Sequence, residues 1–281
     1  MWVAETKEKL KEYLLNRKAN GTLALVPTMG ALHQGHASLL QMALSQNDHV
    51  VVSIFVNPTQ FNNKEDLLKY PKKWDEDLAL IGGISPDIIV FAPSVADIYA
   101  NEVEPRHYDF NGLDKVMEGA FRDDHFNGVG TIVETLFTVV APDRAYFGEK
   151  DFQQLRIVQK LVEIRNIPVE IIGCPIVREA NGLAMSSRNE RLSPPTRQRA
   201  GFIHRTLLAA KTIFGTKDAL ETKEWIKGAF SDQEGFDLEY VEIADVETLT
   251  PVLRKKKHSK YRAFIAVYAE GVRLIDNLAL N

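Results

Sequence analysis

Two histidines stand three residues apart in the segment Pro27-Thr28-Met29-Gly30-Ala31-Leu32-His33-Gln34-Gly35-His36. An apolar run from Leu23 to Val26 precedes the segment, and a helical pattern through Leu39, Leu40, Ala43 and Leu44 follows it. The segment therefore reads as a strand-to-helix turn, and in an open α/β sheet ligands bind at the carboxyl ends of strands. A helix N-terminus there presents N–H groups and a partial positive charge, both of which favour phosphate. The spacing puts the imidazoles of His33 and His36 on one side of the first turn, and Gly35 lets a phosphate approach the backbone. Zinc would need further His, Cys or carboxylate ligands, and His49, His107 and His125 stand at no evident ligand spacing. A cap or core position is the ordinary role of one histidine. Two of them, with a glycine between, favour phosphate contact.

Three further stretches carry suitable groups. Phe147-Gly148-Glu149-Lys150-Asp151 again lies between a strand and a helix. Lys150 offers a point charge to phosphate, Asp151 is an ordinary helix cap, and Gln153 or Gln154 in the next turn can reach a ligand. Gly182-Leu183-Ala184-Met185-Ser186-Ser187-Arg188-Asn189 brings two hydroxyls and a guanidinium into one loop. That set suits a polyphosphate clamp, and equally a polar linker between domains. Asn57-Pro58-Thr59-Gln60-Phe61 follows the second apolar run. Its amides can bind a carboxylate or hydroxyl without adding charge, although Asn-Pro is also a plain turn signal. Gly128-Val129-Gly130 lacks the third glycine and the preceding strand of a dinucleotide fingerprint, and no Gly-x-x-x-x-Gly-Lys-Ser/Thr loop occurs.

The elements that must position these groups follow from hydrophobic periodicity. Helices are expected over 5–18, ending at Asn20-Gly21, over 35–44, over 66–81 with a break at Pro71, over 128–140 and over 151–165. Buried strands are expected over 23–26, 50–56, 87–91, 144–147 and 169–177. Strands alternating with helices predict parallel βαβ units with helices on both faces. After Asn189 the pattern changes to helices over 194–214 and 218–230, then strands over 238–244, 263–268 and 272–275. The expected fold is thus α/β: a Rossmann-like parallel sheet domain over 1–177, and a smaller α+β domain over 178–281 covering the active site.

Composition bounds the function. The chain has 281 residues, 34 basic against 38 acidic, a formal net charge of −4. This speaks against a dedicated nucleic-acid binder. No apolar run approaches the roughly 18 residues of a membrane span. The single cysteine, Cys174, allows no intrachain disulfide, which points to a reducing, cytoplasmic setting.

Taken together, the Pro-Thr-Met-Gly-Ala-Leu-His-x-Gly-His, Phe-Val-Asn-Pro-x-Gln-Phe, Phe-Gly-x-Lys-Asp and Met-Ser-Ser-Arg-Asn segments resemble the pantoate–β-alanine ligase (pantothenate synthetase) family in order and approximate spacing. Arg273-Leu274-Ile275-Asp276-Asn277 resembles the family's tail, so the likeness spans the chain. The His-x-Gly-His element alone would indicate only the wider nucleotidyltransferase superfamily, the alternative reading. The resemblance implies ATP-dependent joining of pantoate to β-alanine through a pantoyl adenylate, releasing AMP and pyrophosphate, with Mg2+ on the phosphates. It implies catalytic roles for His36, as proton donor, His33 and Lys150. It implies ATP contacts from Met29 to His36, thus Gly30, Ala31, Leu32, Gln34 and Gly35 as well, and from Gly148, Glu149, Lys150, Asp151, Val177, Met185, Ser186, Ser187 and Arg188. Substrate contacts fall to Gln60 and Gln154, with Asn57 beside them, and the expected assembly is a homodimer. The chain departs from the family pattern at Lys72-Lys73-Trp74, which leaves Glu76 and Asp77 open as metal-side contacts. Asp123-Asp124 is a second departure, and Arg122 and His125 receive no role.

Overall fold

The computed structural model describes residues 1–18, 21–61, 64–99 and 102–281. They divide into two compact units. The first comprises Met1–Asp114, Arg122–Glu149 and Gln154–Pro175. It contains six parallel strands: β1 (Trp2–Ala4), β2 (Leu23–Thr28), β3 (His49–Ile54), β4 (Ile89–Phe91), β5 (Arg144–Gly148) and β6 (Glu170–Cys174), in the order β1-β4-β3-β2-β5-β6. Val26, Val51 and Val52 are fully buried, as sheet residues covered by helices on both faces must be. From β2 the chain winds outward through β3 and β4, then returns to lay β5 and β6 on the other side. The winding reverses between β2 and β5, where an open Rossmann-like sheet forms its ligand crevice.

The predicted elements are present with local differences. β1 has three residues, too few to show alternation, and Trp2 stacks on Tyr13 with ring centroids 3.7 Å apart. The first helix covers Lys7–Lys18; its expected stop at Asn20 lies outside the described residues. The helical stretch around Pro71 forms as Lys64–Leu68 and Trp74–Ile84, because proline cannot continue the hydrogen-bond ladder. β2 runs through Pro27 to Thr28, since its pairing to β5 ends at Leu25 and a residue without N–H interrupts no ladder on that side. β6 stops at Cys174, before Pro175, rather than at Val177.

The second unit comprises Lys115–Phe121, Lys150–Gln153 and Ile176–Asn281. Three antiparallel strands, β7 (Asp237–Asp245), β8 (Tyr261–Ala269) and β9 (Val272–Ala279), lie in that order. Helices Phe202–Phe214 and Ala219–Ser231 bury Ile203, Leu207, Ile226 and Phe230 with Ile243 and Ile265 of the sheet. The single helix expected over 194–214 is instead Pro194–Arg199 followed by Phe202–Phe214. The Asn181 side chain donates to the Arg197 and Gln198 carbonyls at 2.8 and 3.1 Å, acceptors that a continuous helix would pair with residues 201 and 202.

Two short segments that the expected division at residues 177 and 178 leaves with the first domain sit in this second unit. Arg273 of β9 donates to both Glu118 oxygens at 2.7 and 2.8 Å and also to Glu239. The Tyr240 hydroxyl donates to Glu118 at 2.7 Å. Gln153 accepts the Glu118 N–H at 3.0 Å and donates to the Val116 carbonyl at 2.8 Å. These bonds join residues far apart in sequence, so local pattern carries no trace of them.

Candidate active site

In the first unit the adjacent strands β3, β2 and β5 all end at one edge of the sheet. There β2 delivers residues 28–36, β3 delivers Asn57–Gln60, and β5 delivers Gly148 and Glu149. Within the first unit, the parts of three chemistry-bearing segments that follow β2, β3 and β5 thus lie at the edge where the topology reverses.

The turn after β2 is capped by its own side chains and by Asp77 of the helix Trp74–Ile84. Gly30 N–H donates to the Thr28 hydroxyl. Ala31 and Leu32 donate to Asp77 Oδ2 and Oδ1 at 2.9 and 2.6 Å. His33 N–H donates to His36 Nδ1 at 3.3 Å, and Gly35 N–H donates to His33 Nδ1 at 3.1 Å. The N–H groups of Ala31, Leu32, His33 and Gly35 therefore have acceptors within the protein. The physical reason is the reciprocal capping box that the two histidines form at the start of helix Gln34–Gln46.

That cap also decides the tautomer. A ring nitrogen accepting from an N–H carries no proton, so the hydrogen bonds assign the proton of each neutral imidazole to Nε2. The rings lie 4.1 Å apart, centroid to centroid, and both residues are half-buried. Each imidazole thereby keeps an Nε2–H as its donor.

Asp77, which the sequence reading left open as a metal-side contact, is 2% exposed and holds the turn. Gly30 and Ala31 have φ of +80° and +49°, and a left-handed backbone costs a non-glycine residue about 1–2 kcal/mol. The carboxylate's two bonds hold Ala31 and Leu32 in place. Burial pushes the Asp77 carboxyl up, and the N–H groups of Leu32 and Ala31 pull it back, with burial prevailing. Nothing in sequence singles Asp77 out, since Asp75 and Glu76 share the same helical turn.

At the end of β3, Asn57 is fully buried. It donates to the Gly128 carbonyl at 3.0 Å and accepts from the Thr59 and Tyr99 hydroxyls, which fixes the amide plane against the helix His125–Val140. A Cβ on Gly128 would stand 2.3 Å from the Thr59 carbonyl oxygen. This glycine, dismissed as a dinucleotide signature, is there so that helix and turn can touch. The Gln60 carbonyl accepts from Arg122 at 3.2 Å and from the His125 ring at 2.8 Å. Arg122 and His125, unassigned from sequence, thus fix the backbone that carries the Gln60 side chain.

In the second unit, Lys150 lies in a 3-10 turn, Glu149–Asp151, with Nζ 3.8 Å from Asp151. The Gln153 amide is engaged by residues 116–118, which leaves Gln154, half-buried in the first unit, as the ligand-facing candidate of that pair. Val177 accepts the Met185 N–H at 3.0 Å. The Ser186 hydroxyl accepts the Arg188 N–H at 3.3 Å, and Asn189, fully buried, donates to Glu179 and to the Ala184 carbonyl. Ser186 to Arg188 is thus an anchored turn rather than a slack linker. Among the described residues no group of three His, Cys, Asp or Glu side chains could hold a metal ion, and no helix is long and apolar enough to cross a membrane.

Comparison with known proteins extends these observations. A family model described as pantoate-beta-alanine ligase matches residues 2–279. A curated pantothenate synthetase from Christiangramia forsetii is 52% identical over 282 residues, covering 100% of both chains. The crystal structure of pantothenate synthetase from Thermus thermophilus matches with a TM-score of 0.92 at 39% identity, covering 100% of this chain and 99% of that one. That of a Francisella tularensis pantoate-beta-alanine ligase, complexed with beta-gamma ATP and beta-alanine, matches with a TM-score of 0.79 at 33% identity, covering 100% and 98%.

Proposed function

The chain belongs to the pantoate–β-alanine ligase family and joins pantoate to β-alanine with ATP, and we propose how its residues divide the work. In the first half-reaction a pantoate carboxylate oxygen attacks the α-phosphorus of ATP. The bond to pyrophosphate breaks, and pantoyl adenylate forms. In the second, the neutral β-alanine amine attacks the acyl carbon, the bond to AMP breaks, and the nitrogen's extra proton passes to water or to the released AMP phosphate.

The reciprocal cap of His33 and His36 carries the assignment. Each Nε2–H is a hydrogen-bond donor for phosphate oxygens as negative charge collects on the departing pyrophosphate; His36 donates in this way without giving the proton up, since a neutral imidazole that lost it would become an imidazolate. Met29, Gly30, Ala31, Leu32, Gln34 and Gly35 shape the nucleotide side of that turn, and Gly148, Glu149 and Asp151 contribute to the same nucleotide contact. Val177 meets adenine through its backbone. Lys150, Met185, Ser186, Ser187 and Arg188 hold the triphosphate. Gln60 and Gln154 hold pantoate, and Asn57 sets the floor beneath Gln60. Mg2+ enters with ATP as part of the substrate, since this cation keeps its waters and phosphate oxygens and needs few protein ligands. It neutralises phosphate charge as the α-phosphorus is attacked.

The enzyme acts in the cytoplasm as a homodimer in this reading. The lone Cys174 thiol, buried beside Met42 and pushed by burial up to about 11, supports a reducing setting without a redox role. Light scattering of the purified protein tests the dimer.

Incubation with ATP, pantoate and β-alanine tests the chemistry. AMP and pyrophosphate are the expected products, and pantoate alone should support exchange of labelled pyrophosphate into ATP. ADP as product, or exchange without pantoate, would overturn the reading in favour of another nucleotide-handling enzyme.

A further inference from the structure

The motif Arg273-Leu274-Ile275-Asp276-Asn277 has no part in the chemistry assigned above, yet its last two side chains are almost wholly buried, at 4% and 2% exposure. They are neighbours on β9, so they point to opposite faces of the strand. On one face both Asp276 oxygens accept from Arg178 at 2.6 and 3.0 Å. Arg178 also donates to the Gly182 carbonyl at 3.1 Å and pairs with Ala184 in an antiparallel bridge. That bridge closes the hairpin from which Met185 to Arg188 emerge. On the other face Asn277 donates to the Lys150 carbonyl at 2.8 Å and accepts from Arg262. The Arg262 guanidinium lies 3.9 Å from the centre of the Phe152 ring, two residues beyond Lys150. Asn277 N–H donates in turn to Asp276 at 2.7 Å.

We propose that the Asp276-Asn277 dipeptide is the positioning element of the triphosphate clamp, setting Lys150 through one side chain and the Met185–Arg188 turn through the other. The proposal rests on the reading of Lys150 and Met185–Arg188 as phosphate contacts. Lys150 and Met185 are 35 residues apart in sequence and must present their loops to one polyphosphate; tying both loops to adjacent residues of one strand fixes each relative to the other through the two faces of that strand. Neither side chain touches substrate in this scheme; each acts through the loop it holds.

The test is a double-mutant cycle on the two half-reactions. Asn277→Asp keeps the shape of the side chain but turns the donor facing the Lys150 carbonyl into an acceptor. Pantoate-dependent pyrophosphate exchange is expected to fall at least about tenfold. Conversion of supplied pantoyl adenylate and β-alanine should stay within about twofold of wild type, because that step handles no triphosphate. In a Lys150→Ala background the same substitution should change exchange by less than about twofold. Asp276→Asn in an Arg188→Ala background examines the other face in the same way. Should Asn277→Asp fail to fold, Asn277→Ala, which removes the donor without adding a charge, carries the same comparison. Full additivity in the cycle, or equal losses in both half-reactions, would overturn the proposal. Absence of pantoate-dependent exchange in the wild-type protein would instead overturn the ligase reading on which it rests.

Discussion

Replacing Asp77 with asparagine should separate positioning from stability. The buried carboxylate accepts from Ala31 and Leu32 at 2.9 and 2.6 Å. A hydrogen bond to a charged acceptor contributes about 1.5–3 kcal/mol, so the pair contributes roughly 3–6 kcal/mol. Against it stands the removal of a carboxylate from water, which costs several kcal/mol, and burial prevails in setting the direction of the shift, upward. A carboxyl whose folded pKa is raised takes up its proton more readily in the folded chain than in the unfolded one. Ionised Asp77 therefore opposes folding at neutral pH, and that opposition disappears as the pH falls through the folded value. Uncharged asparagine should accordingly leave the melting temperature within a few degrees, or raise it. Activity should move the other way. Asparagine sets an NH2 group against one of the two backbone N–H groups, in a turn already at positive φ and immediately before His33. A displacement of about 1 Å there costs on the order of 100-fold in rate. Pyrophosphate exchange and thermal unfolding, measured on the same preparations of Asp77→Asn, decide the matter. Unchanged exchange would refute the clamp. A melting temperature lowered by more than about 8 °C, equivalent to roughly 2 kcal/mol or more, would refute the energetic balance.

Three other outcomes are expected. His36→Ala should lose at least about 100-fold in pantoate-dependent exchange, the lower range for losing one donor to developing negative charge; near-normal turnover would remove His36 from the mechanism. Gly128→Ala drives a Cβ to 2.3 Å from the Thr59 carbonyl. It should cost about 1–3 kcal/mol by denaturant unfolding and raise KM for pantoate through displacement of Gln60, leaving KM for ATP nearly unchanged. Burial pushes Glu134 up, but bonds from Tyr108, Arg165 and Arg106 outweigh it and hold the carboxyl below its ordinary value. Its contribution to stability is therefore present above the unfolded value near 4.5 and lost as the pH falls through the folded one. Glu134→Gln should be less stable than wild type at pH 7, with the difference closing in acid; a gap that widens toward low pH would contradict that sign.

Legibility in the sequence tracked the range of the interactions. The parallel strands β2 to β6 were readable because residues buried on both faces form apolar runs, and the helices because one face repeats every three to four residues. The same local signals placed His33, His36, Gln60 and Gly148 at strand ends. What escaped was set by pairs distant in sequence: Asp77 under Ala31 and Leu32, Arg122 and His125 behind Gln60, and Glu118 joined to Arg273. A residue's type does not reveal a partner tens of positions away.

By itself the sequence determined the alternation of elements, the order of the motifs and the chemical groups on offer, because these follow from composition and period along the chain. Only the tertiary structure decided that Asp77 and the two histidines accept from the turn's backbone N–H groups, and that Lys150 is held by β9 of the smaller sheet. The reason is that hydrogen bonds are met by whichever donor and acceptor come within about 3 Å, and folding, not sequence order, brings those atoms together.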